Sequence, residues 1–128
     1  MLNNIYRLPE IYFIGGSSED LQFDLYSDEN KRRPIDLRDG TARFALIDFS
    51  NMTGAPLVSK EMDIQINKAQ THYNIVRVSL LPEDTVDLFG KYIYQISLRD
   101  ADGGIDIPYQ GIAMIYNNID KAFIKEST

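Results

Sequence analysis

Apolar and polar residues alternate with a period of two along almost the whole chain, which is the pattern of strands with one dry face and one wet face. The first such run is Ile11 to Ile14, preceded by Pro9 and closed by Gly15 and Gly16. A second covers Asp20 to Tyr26, with Leu21, Phe23 and Leu25 opposed by Gln22 and Asp24. After a polar turn from Ser27 to Arg33, Ile35 and Leu37 alternate across a short piece that plugs the space under a loop. Thr41 to Phe49 predicts a third strand that is apolar on both sides, with Ala42, Phe44 and Leu46 facing one way and Ala45, Ile47 and Phe49 the other. Two dry faces imply a central strand, or one whose second face a neighbouring subunit covers.

A fourth strand is expected over Leu57 to Ile66, a polar turn over Asn67 to Gln70, and a fifth strand over His72 to Leu80. Pro82 to Asp87 offers a proline and acids suited to about one helical turn across the end of the fold. Gly90 to Leu98 carries Tyr92, Tyr94, Ile96 and Leu98 on its core side and ends in the Asp- and Gly-rich hairpin Arg99 to Gly104. The last strand, Ile105 to Tyr116, holds Pro108 and Gly111 and is expected to bend or bulge. Asn117 to Thr128 reads as a polar, departing tail or a connection to a further neighbour.

Seven or eight short antiparallel strands cannot each bury a face alone, and two stacked sheets solve that problem most simply. The fold expected is an all-β, immunoglobulin-like β-sandwich forming a single domain over 1–128, with its core at about 9–118. It lacks the Cys-Trp-Cys core of antibody domains, and a flattened barrel is the competing architecture.

Composition narrows the function. The chain has 128 residues, 44% hydrophobic and 25% charged, enough for one domain with a core and a polar skin. No cysteine is present, so disulfides, thiolate metal sites and cysteine nucleophiles are excluded. A net charge of −6 repels nucleic acid unless basic residues gather, and the run Lys31, Arg32, Arg33 lies beside Asp28 and Glu29 as a hairpin tip. No export signal opens the chain and no apolar run is long enough for a bilayer, so no membrane insertion is expected.

Candidate chemistry is sparse. His72 has no nucleophile or orienting carboxylate at a telling spacing. Asp100, Asp102 and Asp106 offer hard oxygens to calcium, yet aspartate and glycine are also the residues of any tight hairpin. Glycine-rich phosphate loops, nucleophile elbows and zinc-binding helix motifs are absent from the sequence. The expectation is a protein that is not an enzyme, with no cofactor and no metal.

The order of landmarks resembles the amino-terminal domain of phage baseplate upper proteins. The residues that carry it are the Asp20 to Tyr26 strand, then Pro34, Ile35, Asp36, Leu37, then Gly40 to Phe44, then Leu80 to Thr85. Gly90, Lys91, Tyr92, Ile93, Tyr94, the Asp102–Gly103 pair, and Pro108 to Gly111 complete it, over about residues 9–118. The resemblance implies an immunoglobulin-like sandwich in a phage tail or baseplate, with no catalytic residues to carry over. The chain ends soon after the domain, which leaves open a baseplate subunit, a small accessory virion protein or a prophage-derived relative.

On that reading the partners are other virion or tail proteins, with a homo-oligomer as a natural arrangement and the virion as location after synthesis in the host cytoplasm. The candidate interface is Ala45, Ile47, Phe49, Ile93 and Ile115. The alternative is a carbohydrate- or cell-surface-binding sandwich, for which Tyr109, Gln110 and Tyr116 are the candidate contacts.

Overall fold

A computed structural model describes residues 6–27 and 34–126, with only the backbone at Tyr6, Ile107 and Pro108. The run Lys31, Arg32, Arg33 falls outside the described residues; on either side of it Tyr26 and Pro34 form an isolated antiparallel bridge. Among the described residues, eight strands run in chain order as β1 (Tyr6–Arg7), β2 (Ile11–Ile14), β3 (Glu19–Asp24), β4 (Thr41–Asp48), β5 (Val58–Asn67), β6 (His72–Leu80), β7 (Gly90–Arg99) and β8 (Ile105–Tyr116). The described residues also hold two short helices, α1 (Pro82–Thr85) between β6 and β7 and α2 (Lys121–Glu126) after β8.

The strands form an immunoglobulin-like sandwich in which β5 belongs to both sheets. Its first half pairs with β4, from Val58 opposite Leu46 to Met62 opposite Ala42. Its second half pairs with β6, from Asp63 opposite Arg77 onward, with a register shift between Gln65 and Asn67. The first sheet therefore runs β8, β7, β4, β5, and the second runs β5, β6, β3. A strand that bends out of one sheet into the other turns the corner of the sandwich without a break in hydrogen bonding.

Two pairings are parallel, unlike the all-antiparallel arrangement that alternation alone suggests. β1 and β2 both lie along the free edge of β8, Tyr6 opposite Tyr109 and Ile11 opposite Ala113. Between them Pro9, which has no N–H to give, interrupts the ladder just after the Leu8 N–H donates to the Gln110 carbonyl at 2.7 Å. The chain then leaves this sheet through Gly15 and Gly16, the latter at φ 88°, and enters β3 at the edge of the other.

Alternation decides the core. Phe44, Leu46, Tyr92, Tyr94, Ile96, Ala113 and Ile115 from the first sheet meet Phe23, Val76, Val78 and Leu80 from the second, all buried. The Phe23 and Tyr94 rings sit 5.5 Å apart across the sheets, close enough for a favourable aromatic pair. Leu37 is buried and Ile35 packs against the same core, as plugs under the loop.

α1 closes one end. Its Asp84 carboxylate accepts from the Leu81 N–H at 2.7 Å and pairs with Lys60 at 2.5 Å. Lys60 lies opposite the buried Phe44, so its stem covers core while its ammonium reaches the end of the sandwich. The segment after Tyr116 corrects the expectation of a departing tail. Asn118 donates to the Gly15 carbonyl at 2.8 Å, and Lys125 pairs with Asp87 at 3.0 Å, so α2 is fastened to the body.

Candidate interaction face

The outer faces of the two sheets differ in kind. On the second sheet the outer face is mainly polar: Asp20, Gln22 and Asp24 of β3 share it with Arg77 and Ser79 of β6 and Asp63 of β5, with Ile75 as an apolar exception. Here Ser79 donates to Asp20 at 2.5 Å. On the first sheet the alternation fails, because the outward positions are largely apolar as well. Ile47, Ile93 and Ile112 stand directly opposite one another on β4, β7 and β8. The neighbouring row holds Phe49, Lys91, Met114 and Tyr12, since Lys91 pairs with Met114, Met114 with Tyr12, and the Phe49 N–H donates to the Lys91 carbonyl at 3.2 Å.

Lys91 does not break this surface. Its ammonium lies 4.2 Å from the centre of the Phe49 ring, a geometry in which the ring's electron-rich face stabilises the cation. Beyond it Tyr116 and Ile14 are opposite partners on β8 and β2, and both are exposed together with Phe89. At the other end the face turns polar, with Arg43 donating to Ser59 at 2.9 Å and Gln110 donating to Gln95 at 2.9 Å. A shallow groove of about 330 Å³ lies beside the β1–β2 break, lined by Arg7, Leu8, Glu10, Phe49, Ile93 and Ile112 among others.

Of the residues singled out as an interface, Ala45, Ile47, Phe49 and Ile93 share this face. Ile115 does not. It is buried, opposite Gly90, on the core side of β8. Both sides of β8 are apolar, Ile112 and Met114 on one and Ala113 and Ile115 on the other, so its phase is not readable from hydrophobicity. Ile112, Met114, Tyr12, Ile14 and Phe89 complete the face and were not legible as members without the strand pairings.

The candidate ligand contacts separate in the same way. Tyr109 is only 3% exposed, and its hydroxyl donates to the Tyr26 carbonyl at 2.6 Å, so it ties the two sheets together instead of facing solvent. Tyr116 is 53% exposed on the opposite side of β8, and Gln110 is half-buried against Gln95. The exposed tyrosine pair that does form is Tyr116 with Tyr12, the latter 56% exposed. Tyr12 donates to the Glu10 carboxylate, which holds the phenol above its usual range, with a smaller contribution from Tyr116.

The remaining candidates are placed as follows. His72 is half-buried, with Nδ1 2.6 Å from the Gln70 carbonyl. Asp100 uses one carboxylate oxygen to accept from the N–H groups of Asp102 at 3.0 Å and Gly104 at 2.8 Å, which is the chemistry of the turn. Asp102 and Asp106 are exposed. Among the described residues, no group of three or more His, Cys, Asp or Glu side chains is arranged to hold a metal ion. No described helix is long and apolar enough to cross a membrane.

No protein-family model matches the chain, and no curated protein matches it. Among solved structures it is similar to CopC from Methylosinus trichosporium OB3b. The two share 13% sequence identity over 85% of this chain and 88% of that one, with a TM-score of 0.44. A likeness so loose carries no argument about ligands or partners.

Proposed function

We propose that this chain is a non-catalytic structural module of a phage or prophage virion, serving in tail or baseplate assembly or fibre attachment. The observation that carries the assembly role is the row Ile47, Ile93, Ile112, apolar residues in direct register on the outward side of a sheet whose inward side is already the core. An antiparallel sheet normally keeps one face wet, and a contiguous apolar outer face is the mark of a surface that meets another protein. The virion setting comes from the order of landmarks in the sequence. Partners are then other tail proteins or further copies of the chain, with no nucleic acid or bilayer involved.

The test uses the replicating phage or an induced prophage. Peptides of the chain are expected in purified particles, and Ile93→Lys, with an unchanged β-type circular dichroism spectrum, is expected to abolish its incorporation. Absence of the chain from particles overturns the virion setting, and normal incorporation of the Ile93 variant overturns the role of the face.

A second reading has its own observation. Tyr12 and Tyr116 are exposed near one another with the Glu10 carboxylate beside them, an arrangement able to stack on a sugar and fix its hydroxyls. On this reading the module touches a carbohydrate surface. Binding on a glycan array that is lost in Tyr12→Ala supports it, and an array without hits removes it.

A further inference from the structure

Among the described residues, the most exposed large apolar side chains are not on the sheet. Ile119 is 98% exposed and Phe123 is 67% exposed, and they flank the start of α2. Their mount is firm. Asn118 is hydrogen-bonded to the Gly15 carbonyl, Asp120 takes the Asn118 side-chain oxygen at 2.7 Å, and the Asp120 carboxylate accepts from the Phe123 N–H at 3.3 Å. Ile124 packs beside Gly16 and Val86, where a Cβ at position 16 would come within 3.2 Å of Ile124 Cγ1. An apolar residue just before a helix commonly packs back on the first turn, yet Ile119 stays in solvent while its neighbours are tied down.

We infer that the chain forms a closed pair in which Ile119 and Phe123 of one copy enter the groove beside the β1–β2 break of the other. This deepens the assembly reading and rests on it. The groove has an apolar floor in Ile93 and Ile112, and its volume of about 330 Å³ is at the lower end for sites that enclose small ligands. That is room for a pair of side chains and not for a domain.

Position and charge both favour a second copy as the occupant. Lys121 lies 5.6 Å from the Phe89 ring, which sets the α2 arm beside the apolar end of the outer face. Ile112 in the groove and Tyr116 at that end are four residues apart on one strand, roughly 13 Å. With the arm at that end of the molecule, a two-fold axis between the copies would let both arms reach both grooves and close the assembly. The groove rim carries Arg7 and Glu10, and the residues next to Ile119 on the arm are Asp120 and Lys121, with Lys125 tied to Asp87 further along, so an opposite charge is available to each rim residue. Arg7 makes no ion pair among the described residues.

The experiment is sedimentation velocity on the full chain, with circular dichroism as the check on folding. The wild type is expected to run as a dimer. The double variant Ile119→Asp, Phe123→Asp and the groove variant Ile112→Lys are each expected to weaken association at least tenfold. Mixed together, these two variants are expected to recover 1:1 dimers, because one intact arm and one intact groove remain.

A monomeric wild type overturns the inference, as does a double arm variant that stays dimeric. If the arm variant still enters virions while Ile93→Lys does not, the assembly reading stands and the arm exchange falls, leaving another virion protein as the occupant of the groove.

Discussion

The ring of Tyr94 lies across the backbone of Gly111, so close that a Cβ at position 111 would sit 2.6 Å from two of the ring carbons. Tyr94 and Gly111 are cross-strand partners on β7 and β8, and the missing side chain lets the ring pass over β8 toward its far edge. There the Tyr94 hydroxyl donates to the Pro9 carbonyl, at the gap between β1 and β2. Burial holds this phenol far above the usual tyrosine range, so it is a donor at neutral pH. One glycine thus seats a core aromatic and anchors the strand that borders the groove.

Gly111→Ala is expected to destabilise the protein by about 2 to 3 kcal/mol, the cost of forcing a side chain into a filled site and displacing a hydrogen-bonded ring. Tyr94→Phe should cost about 1 kcal/mol, because it removes only the bond to Pro9. Urea denaturation of the two variants checks the order, and an alanine at 111 that leaves stability unchanged would show that the ring can move away freely.

Thr85 is fully buried, and its hydroxyl oxygen accepts from the Gly16 N–H at 2.9 Å. Valine has nearly the same shape but no acceptor. Thr85→Val is therefore expected to cost about 1 to 3 kcal/mol through a stranded N–H, whereas Thr85→Ser keeps the bond. Amide hydrogen exchange at Gly16 should quicken in the valine variant alone.

Stability toward acid is expected to depend on Asp36. Its carboxylate accepts from the N–H groups of Tyr73 at 3.1 Å and Arg38 at 3.3 Å, and these bonds, the one from Tyr73 foremost, hold its pKa below the usual aspartate value. A carboxylate with a lowered folded pKa stabilises the fold above its unfolded pKa of about 4 and loses that contribution as pH falls through the folded value. Between neutral pH and roughly 4 the wild type should be more stable than Asp36→Asn, and the gap should close below that. Denaturation curves across this range decide it, since a gap of constant size would mean that the Asp36 charge is not involved.

Much of the architecture was legible before any contact was known. β2, β6 and β8 occupy the predicted runs, and the helical turn starting at Pro82 sits where a proline and two acids placed it. Strict alternation at Tyr92, Tyr94, Ile96 and Leu98 marked the core side of β7 without ambiguity, because its outward positions include Lys91, Gln95 and Ser97. β8 offered no such contrast in polarity, although the bulge expected from Pro108 is there: the pairing with β7 passes from Ile96 opposite Tyr109 to Leu98 opposite Asp106, with one more residue on β8 than on β7. Polarity alone therefore allows Tyr109 at the surface and Ile115 in an interface, whereas the register with β7 puts both on the buried side.

What the order of residues determined by itself is the class of structure: period two in successive segments can bury its apolar side only in stacked sheets. Which strand stands beside which depends on contacts between residues far apart in the chain, such as β5 passing from one sheet to the other and β1 with β2 running parallel to β8. Those pairings alone brought Ile47, Ile93 and Ile112 into one row and carried Tyr109 inward. A side chain's polarity is a local property, whereas its neighbours across a sheet are settled only when the whole chain has closed.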